Sequence, residues 1–152
     1  MAIRKMKVAI GCDPNAADLK ETIKDLLKAE GVEFEDFGSA DPIYANVAFA
    51  VGEAVAAGKF DRGILVCGTG IGMSIAANKV PGVYAALLSD AYSAERAVLS
   101  NNANVATLGS QTLGPVTAKT YVKIWLEAQW ETGSRSESKV ARIVEYAKAH
   151  QK

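Results

Sequence analysis

Short apolar runs alternate with longer segments of helical periodicity from Lys7 almost to the carboxyl terminus, and nothing else in the sequence restricts the fold as tightly. KVAIGC (7–12), VEFEDFG (32–38), RGILVCG (62–68), GVYAALLS (82–89) and ANVATLGS (103–110) have the length and composition of strands. Residues 15–31 carry Leu19, Ile23, Leu26 and Leu27 at helical spacing, with Gly31 placed to end that helix. Residues 45–59, 70–80 and 93–102 predict further helices. Residues 114–130 predict another, with Pro115 just inside its start, and 139–152 an amphipathic last one. The order β-α-β-α-β-α-β-α-β-α-α makes this a single α/β domain over residues 1–152, a doubly wound five-stranded parallel sheet between helical layers. Such a three-layer αβα fold gathers ligands at the carboxyl ends of its strands. Three loops are expected there: CDPN after the first strand, CGTGIG after the third, and SNN before the last.

Composition removes several functions. The 17 basic and 17 acidic residues cancel, so no electrostatic footprint for nucleic acid or anionic lipid is expected. No apolar stretch approaches the length of a membrane span, and the amino-terminal apolar run is too short for a signal peptide. Cys12 and Cys67 are too few for a disulfide framework or a metal site, and they read as free thiols of a cytoplasmic protein.

CGTGIGMSIAANKVPG, from Cys67 to Gly82, carries the chemistry. Gly68, Gly70 and Gly72 lie between a strand and a helix, where glycines allow positive φ and helix-start N–H groups receive anions. Thr69 and Ser74 add hydroxyls. The G-x-G-x-G spacing is not the dinucleotide fingerprint, and no G-K-[ST] follows, so neither a Rossmann nucleotide site nor a P-loop is implied. Cys67 is either a small core residue or a thiolate poised on an anion cradle, able to attack a carbonyl or take a proton beside one. His150, the one histidine, sits in the tail as a solvated residue, so no Cys-His dyad forms. Asp13 is an N-cap or turn residue, or a ligand for a substrate hydroxyl. Ser100 and Asn101, in SNNAN, either end a helix or place an amide over a developing enediolate. Arg135 and Lys139 lie on a solvated helix face, unless another subunit brings them to the cradle as a phosphate clamp.

The glycine loop, with KVAIGCD and SDAYSAERAVLSNNANVATLG, closely resembles the RpiB/LacA/LacB sugar-phosphate isomerase family over most of the chain, to about Lys139. The resemblance implies a Rossmann-like five-stranded sheet. It implies homodimers, often paired into tetramers, with active sites shared across the subunit interface and the helix at about 139–152 packed on a neighbour. It implies aldose–ketose isomerisation of a small phosphorylated sugar through an enediol, with no metal and no nucleotide cofactor. Cys67 matches the catalytic base; a second branch uses a glutamate where Met73 stands. Gly68, Thr69, Gly70, Ile71 and Gly72 match the loop that holds the substrate oxygens, and Thr69 is placed to shuttle a proton. Asp13 and Tyr44 match residues near the sugar hydroxyls. Asn101 matches the residue on the enediolate. Arg135 matches a phosphate arginine from the neighbouring subunit, and Lys139 a second phosphate cation.

The departures bear on the substrate. Ribose-type members carry Asp-His where this chain has Asp13-Pro14, and a ring-opening histidine where it has Ser100. An arginine of the family reads Gln111, and the tail reads GSRSESKV. A tetrose or tetrulose 4-phosphate cannot close a furanose, because the hydroxyl that would close it is esterified. Its isomerase needs no ring-opening histidine, and YANVAFAVGEAV and SAERAVLSNNA resemble the branch that acts on D-erythrulose 4-phosphate. The alternatives are a ribose 5-phosphate/ribulose 5-phosphate isomerase, a LacB-like galactose-6-phosphate isomerase subunit, and a non-catalytic sugar-phosphate-binding partner.

Overall fold

The structure is a computed structural model and describes residues 2–151. Met1 and Lys152, the ends of the expected domain and of its last helix, lie outside the described residues. Five strands form: β1 (Lys7–Cys12), β2 (Glu33–Asp36), β3 (Arg62–Cys67), β4 (Ala85–Leu87) and β5 (Val105–Gly109). They pair in the order β2-β1-β3-β5-β4, all parallel. Six helices connect and follow them: α1 (Ala17–Ala29), α2 (Tyr44–Ala56), α3 (Ile71–Ala77), α4 (Ala91–Leu99), α5 (Pro115–Glu127) and α6 (Glu137–Ala149).

Side chains alternate across each strand, so every inner strand feeds two cores. Val8, Ile10, Ile64, Val66, Ala106 and Leu108 face the layer of α1, α4 and α5. Ala9, Leu65, Cys67 and Val105 face α2 and α3. The same parity separates the two thiols: Cys12 belongs to the first core and Cys67 to the second. After β2 the chain crosses back over β1 to start β3, so the switch point of the sheet lies between β1 and β3. Asp13 and Cys67 leave those two strands side by side, with the Asp13 N–H donating to the Val66 carbonyl at 3.2 Å.

Most elements differ from their expected bounds by one to three residues, and two of the differences bear on packing. Helix α5 stops at Glu127 rather than at residue 130, because the buried Arg62 guanidinium takes the Trp125 and Ala128 carbonyls as acceptors. Burial pushes that guanidinium down to about 10, and the neighbouring charge of Arg4 adds to the shift. Helix α6 begins two residues before Lys139 and has no buried residue; Ile143 and Tyr146 are exposed. Among the described residues no helix is long and apolar enough to cross a membrane.

Candidate active site

Cys67 ends β3 with its side chain buried against α2 and α3, only 6% exposed. The chain then turns through Gly68–Gly70, and the Gly70 N–H donates to Cys67 Sγ at 3.2 Å. The loop is pinned to the strand beside it, since Ser110 and Gln111 donate their N–H groups to the Cys67 and Gly68 carbonyls.

The three glycines have three different reasons. Gly70 sits at φ 79°, and a Cβ there would come within 2.6 Å of the Leu87 side chain and 2.8 Å of the Leu108 backbone. At Gly72 a Cβ would meet the Tyr44 ring at 2.6 Å, so this glycine seats the tyrosine. At Gly68 the nearest atom is the Gln111 side chain, 3.7 Å away. Packing does not require glycine at 68, since a Cβ there would make only ordinary contact with the Gln111 side chain.

Of the amides from 70 to 74, three are already engaged. Gly70 donates to Cys67, Ile71 to Thr69 Oγ1 at 3.2 Å, and Ser74 to the Gly70 carbonyl at 3.1 Å. The Gly72 and Met73 N–H groups, at the start of α3, have no acceptor among the described residues. They are the donors left for an oxyanion, a narrower set than the whole 70–74 stretch. Asp13 fills the capping role and keeps a free oxygen: Oδ1 accepts the Ala16 N–H at 3.0 Å. Burial pushes the other thiol, Cys12, up to about 11, with Lys20 opposing it weakly. Among the described residues no group of three His, Cys, Asp or Glu could hold a metal ion.

The SNN loop does not join this group, contrary to expectation. Helices of a parallel sheet run antiparallel to its strands. The carboxyl end of α4, with Ser100 and Asn101, therefore lies at the amino edge of the sheet, where β5 begins. Cys67 pairs with Gly109, at the far end of β5. Five residues of strand, about 16 Å, separate the two edges.

Asn102, at φ 51°, is the residue that ends α4, and the Ala103 N–H returns to the Ala97 carbonyl at 2.8 Å. Asn104 ties its side chain to Gly82 and Tyr84. Asn101 is left exposed. It opens on a cleft of about 440 Å³ lined also by Tyr92, Arg96, Ser100, Arg135 and Lys139. Arg135 and Lys139 thus meet Asn101 of their own chain, not the Cys67 loop of that chain. The tail histidine, His150, stacks on Tyr146, is exposed and does not line this cleft. Sequence reading missed Arg96. Its spacing of four from Ser100 on one helix was the available signal: Arg96 Nε donates to Ser100 Oγ at 2.6 Å.

The sequence pattern of the ribose/galactose isomerase family matches residues 8–143. D-erythrulose-4-phosphate isomerase of Pectobacterium atrosepticum is 46% identical over 152 residues, covering 96% of this chain and 99% of that protein. Ribose-5-P isomerase B of Listeria innocua is 46% identical over 138 residues, covering 89% of this chain and 93% of its own. Among solved structures, ribose-5-phosphate isomerase B of Clostridium thermocellum superposes with a TM-score of 0.90 at 41% identity, covering 96% of this chain and 100% of that one.

Proposed function

The chain belongs to the ribose/galactose isomerase family, and we propose that it interconverts D-erythrulose 4-phosphate and its aldose, with Cys67 as the base. The observation that carries the substrate assignment is Ser100. Where ring-opening relatives hold an acid/base, this chain holds a hydroxyl already engaged by Arg96. A four-carbon 4-phosphate stays open without help. The name of the Pectobacterium relative supports the same reading.

Cys67 takes a proton from C1 of the ketose, and the charge moves to O2. The Gly72 and Met73 amides face that oxygen, a stabilisation worth roughly 3–4 kcal/mol per donor in other enzymes. Cys67 returns the proton to C2, and Thr69 passes the hydroxyl proton from O1 to O2. Asp13 and Tyr44 hold the sugar hydroxyls. Asn101, Arg135 and Lys139 serve the same substrate, but one chain carries them on the opposite edge from Cys67. We therefore infer an active site assembled from two copies, in which one brings the thiol and the other the asparagine and the phosphate cations. The exposed Ile71, Ile75, Tyr92 and Ile143, and an α6 with no buried residue, suit a face covered by a second copy.

The test is isomerase activity of the purified protein on D-erythrulose 4-phosphate beside D-ribulose 5-phosphate, with Cys67→Ala as blank. Tetrulose turnover that disappears in the variant is expected. A clear preference for the pentulose would overturn the substrate assignment in favour of the second reading. That reading has support of its own: the Listeria relative, named for ribose 5-phosphate, is equally identical at 46%.

A further inference from the structure

The cleft at the end of α4 contains one cation that the family resemblance does not account for. Arg135 and Lys139 match phosphate-binding positions. Arg96 does not, yet it lines the same cleft, half-buried on α4, one turn before Ser100. We propose that Arg96 is a phosphate-binding and specificity-determining residue, held in place by Ser100; the inference rests on the sugar-phosphate isomerase reading above.

The geometry supports it at three points. Arg96 Nε is spent on Ser100 Oγ at 2.6 Å, which fixes the plane of the guanidinium. The four N–H donors on its two terminal nitrogens remain for a ligand. No carboxylate lines the cleft or pairs with Arg96, Arg135 or Lys139 among the described residues. Three cations collected in one cleft repel each other, and an anion of more than one charge relieves that repulsion. A phosphate monoester, at about −1.5 to −2 near neutral pH, has the charge and the oxygen geometry for a bidentate guanidinium.

The pair also offers a reason for substrate length. With serine at 100, the side chain engaging Arg96 is short, and both line the cleft together with Asn101. A phosphate held by Arg96 as well as by Arg135 and Lys139 is drawn toward Asn101, to the advantage of a chain one carbon shorter. Ser100 is then a positioning residue: it acts through Arg96 and does not open a ring.

The experiment uses the whole chain, with Arg96→Met, Arg96→Lys and Ser100→Ala. Steady-state kinetics are read on both sugar phosphates, with inorganic phosphate as competing inhibitor and as calorimetric ligand. Arg96→Met is expected to raise KM for the tetrulose about tenfold or more while kcat changes less than about threefold, and to weaken inorganic phosphate by the same factor. Arg96→Lys should recover part of that loss, since it returns the charge without the fork. Ser100→Ala should raise KM by a smaller factor. The pentulose should suffer less than the tetrulose. Inorganic phosphate binding within twofold of the native value in Arg96→Met overturns the proposal; if the methionine variant does not fold, the same result in Arg96→Lys overturns it. A native preference for the pentulose would sink the tetrulose reading alone, because the phosphate constant tests Arg96 on whichever sugar is turned over.

Discussion

The two edges of the sheet carry two kinds of candidate surface. At the carboxyl edge, the Cys67 loop is made by backbone: a buried thiol, a left-handed Gly70, a Gly72 under a tyrosine ring and two amides with no acceptor among the described residues. At the amino edge, the cleft of Arg96, Asn101, Arg135 and Lys139 is made by long side chains from α4 and from the stretch around the start of α6. The first can stabilise charge only where it sits, because its donors cannot move. The second can hold a charged end of a ligand but has no base of its own. Each edge lacks what the other supplies, and that complementarity is the strongest argument for a site built from two copies.

Replacing Cys67, the proposed base, should separate the edges most sharply. Cys67→Ala is expected to lower kcat by about 10³-fold, measured by isomerase assay, while phosphate binding at the opposite edge stays native. Iodoacetate should label Cys67 and leave Cys12, whose thiol burial holds near 11, with sugar phosphate slowing the first.

Next is Asn101→Ala, expected to cost about 10²-fold in kcat with an unchanged Tm, since the side chain is exposed. Mixing this variant with Cys67→Ala tests the division directly. If one site takes both edges from different chains, subunit exchange rebuilds intact sites, about a quarter of the total. A mixture as inactive as its components would break the two-copy reading.

The glycines should divide stability from activity. Gly70→Ala forces a Cβ onto the Leu108 backbone at positive φ and is expected to cost about 2 kcal/mol or more, a Tm loss of roughly 4–8 °C. Gly68→Ala meets nothing closer than 3.7 Å, so its Tm should stay close to native while kcat/KM falls. A Gly68→Ala enzyme of full activity would remove Gly68 from the substrate-binding loop.

Smaller effects come from charge. Raising ionic strength from about 0.05 to about 0.5 M should raise KM several-fold and leave kcat alone, because the cations of the amino edge are exposed or half-exposed. A further charge cluster serves the fold and gives a control. Burial would raise the Asp36 carboxyl, but hydrogen bonds from Lys24, Lys20 and the Gly38 N–H outweigh it and hold the group at about 2. A depressed carboxyl contributes stability above its unfolded value near 3.8, and that share is lost as pH falls toward 2. Acid unfolding followed by circular dichroism should therefore shift upward in pH in Asp36→Asn, with the isomerase assay at neutral pH little affected.

Much of this protein follows from local sequence. The strands, the helices and the parallel sheet come from periodicity, and hydrophobic alternation fixes which face Cys67 joins, since side-chain parity is a property of the chain itself. The glycine loop is equally local: turn, thiol and helix start are consecutive residues. Tertiary structure decided the rest. SNN looked like a neighbour of the glycine loop because both adjoin strands; which edge each occupies depends on whether it follows a strand or precedes one. Arg96 met Arg135 and Lys139 only because α4 and the start of α6 come together across nearly 40 positions of sequence, a juxtaposition no local pattern encodes. The early end of α5 likewise waits on Arg62, more than 60 residues away in sequence. Local order is written by backbone geometry and side-chain alternation, whereas a cluster of charges on separate elements exists only once the hydrophobic cores have folded those elements against each other.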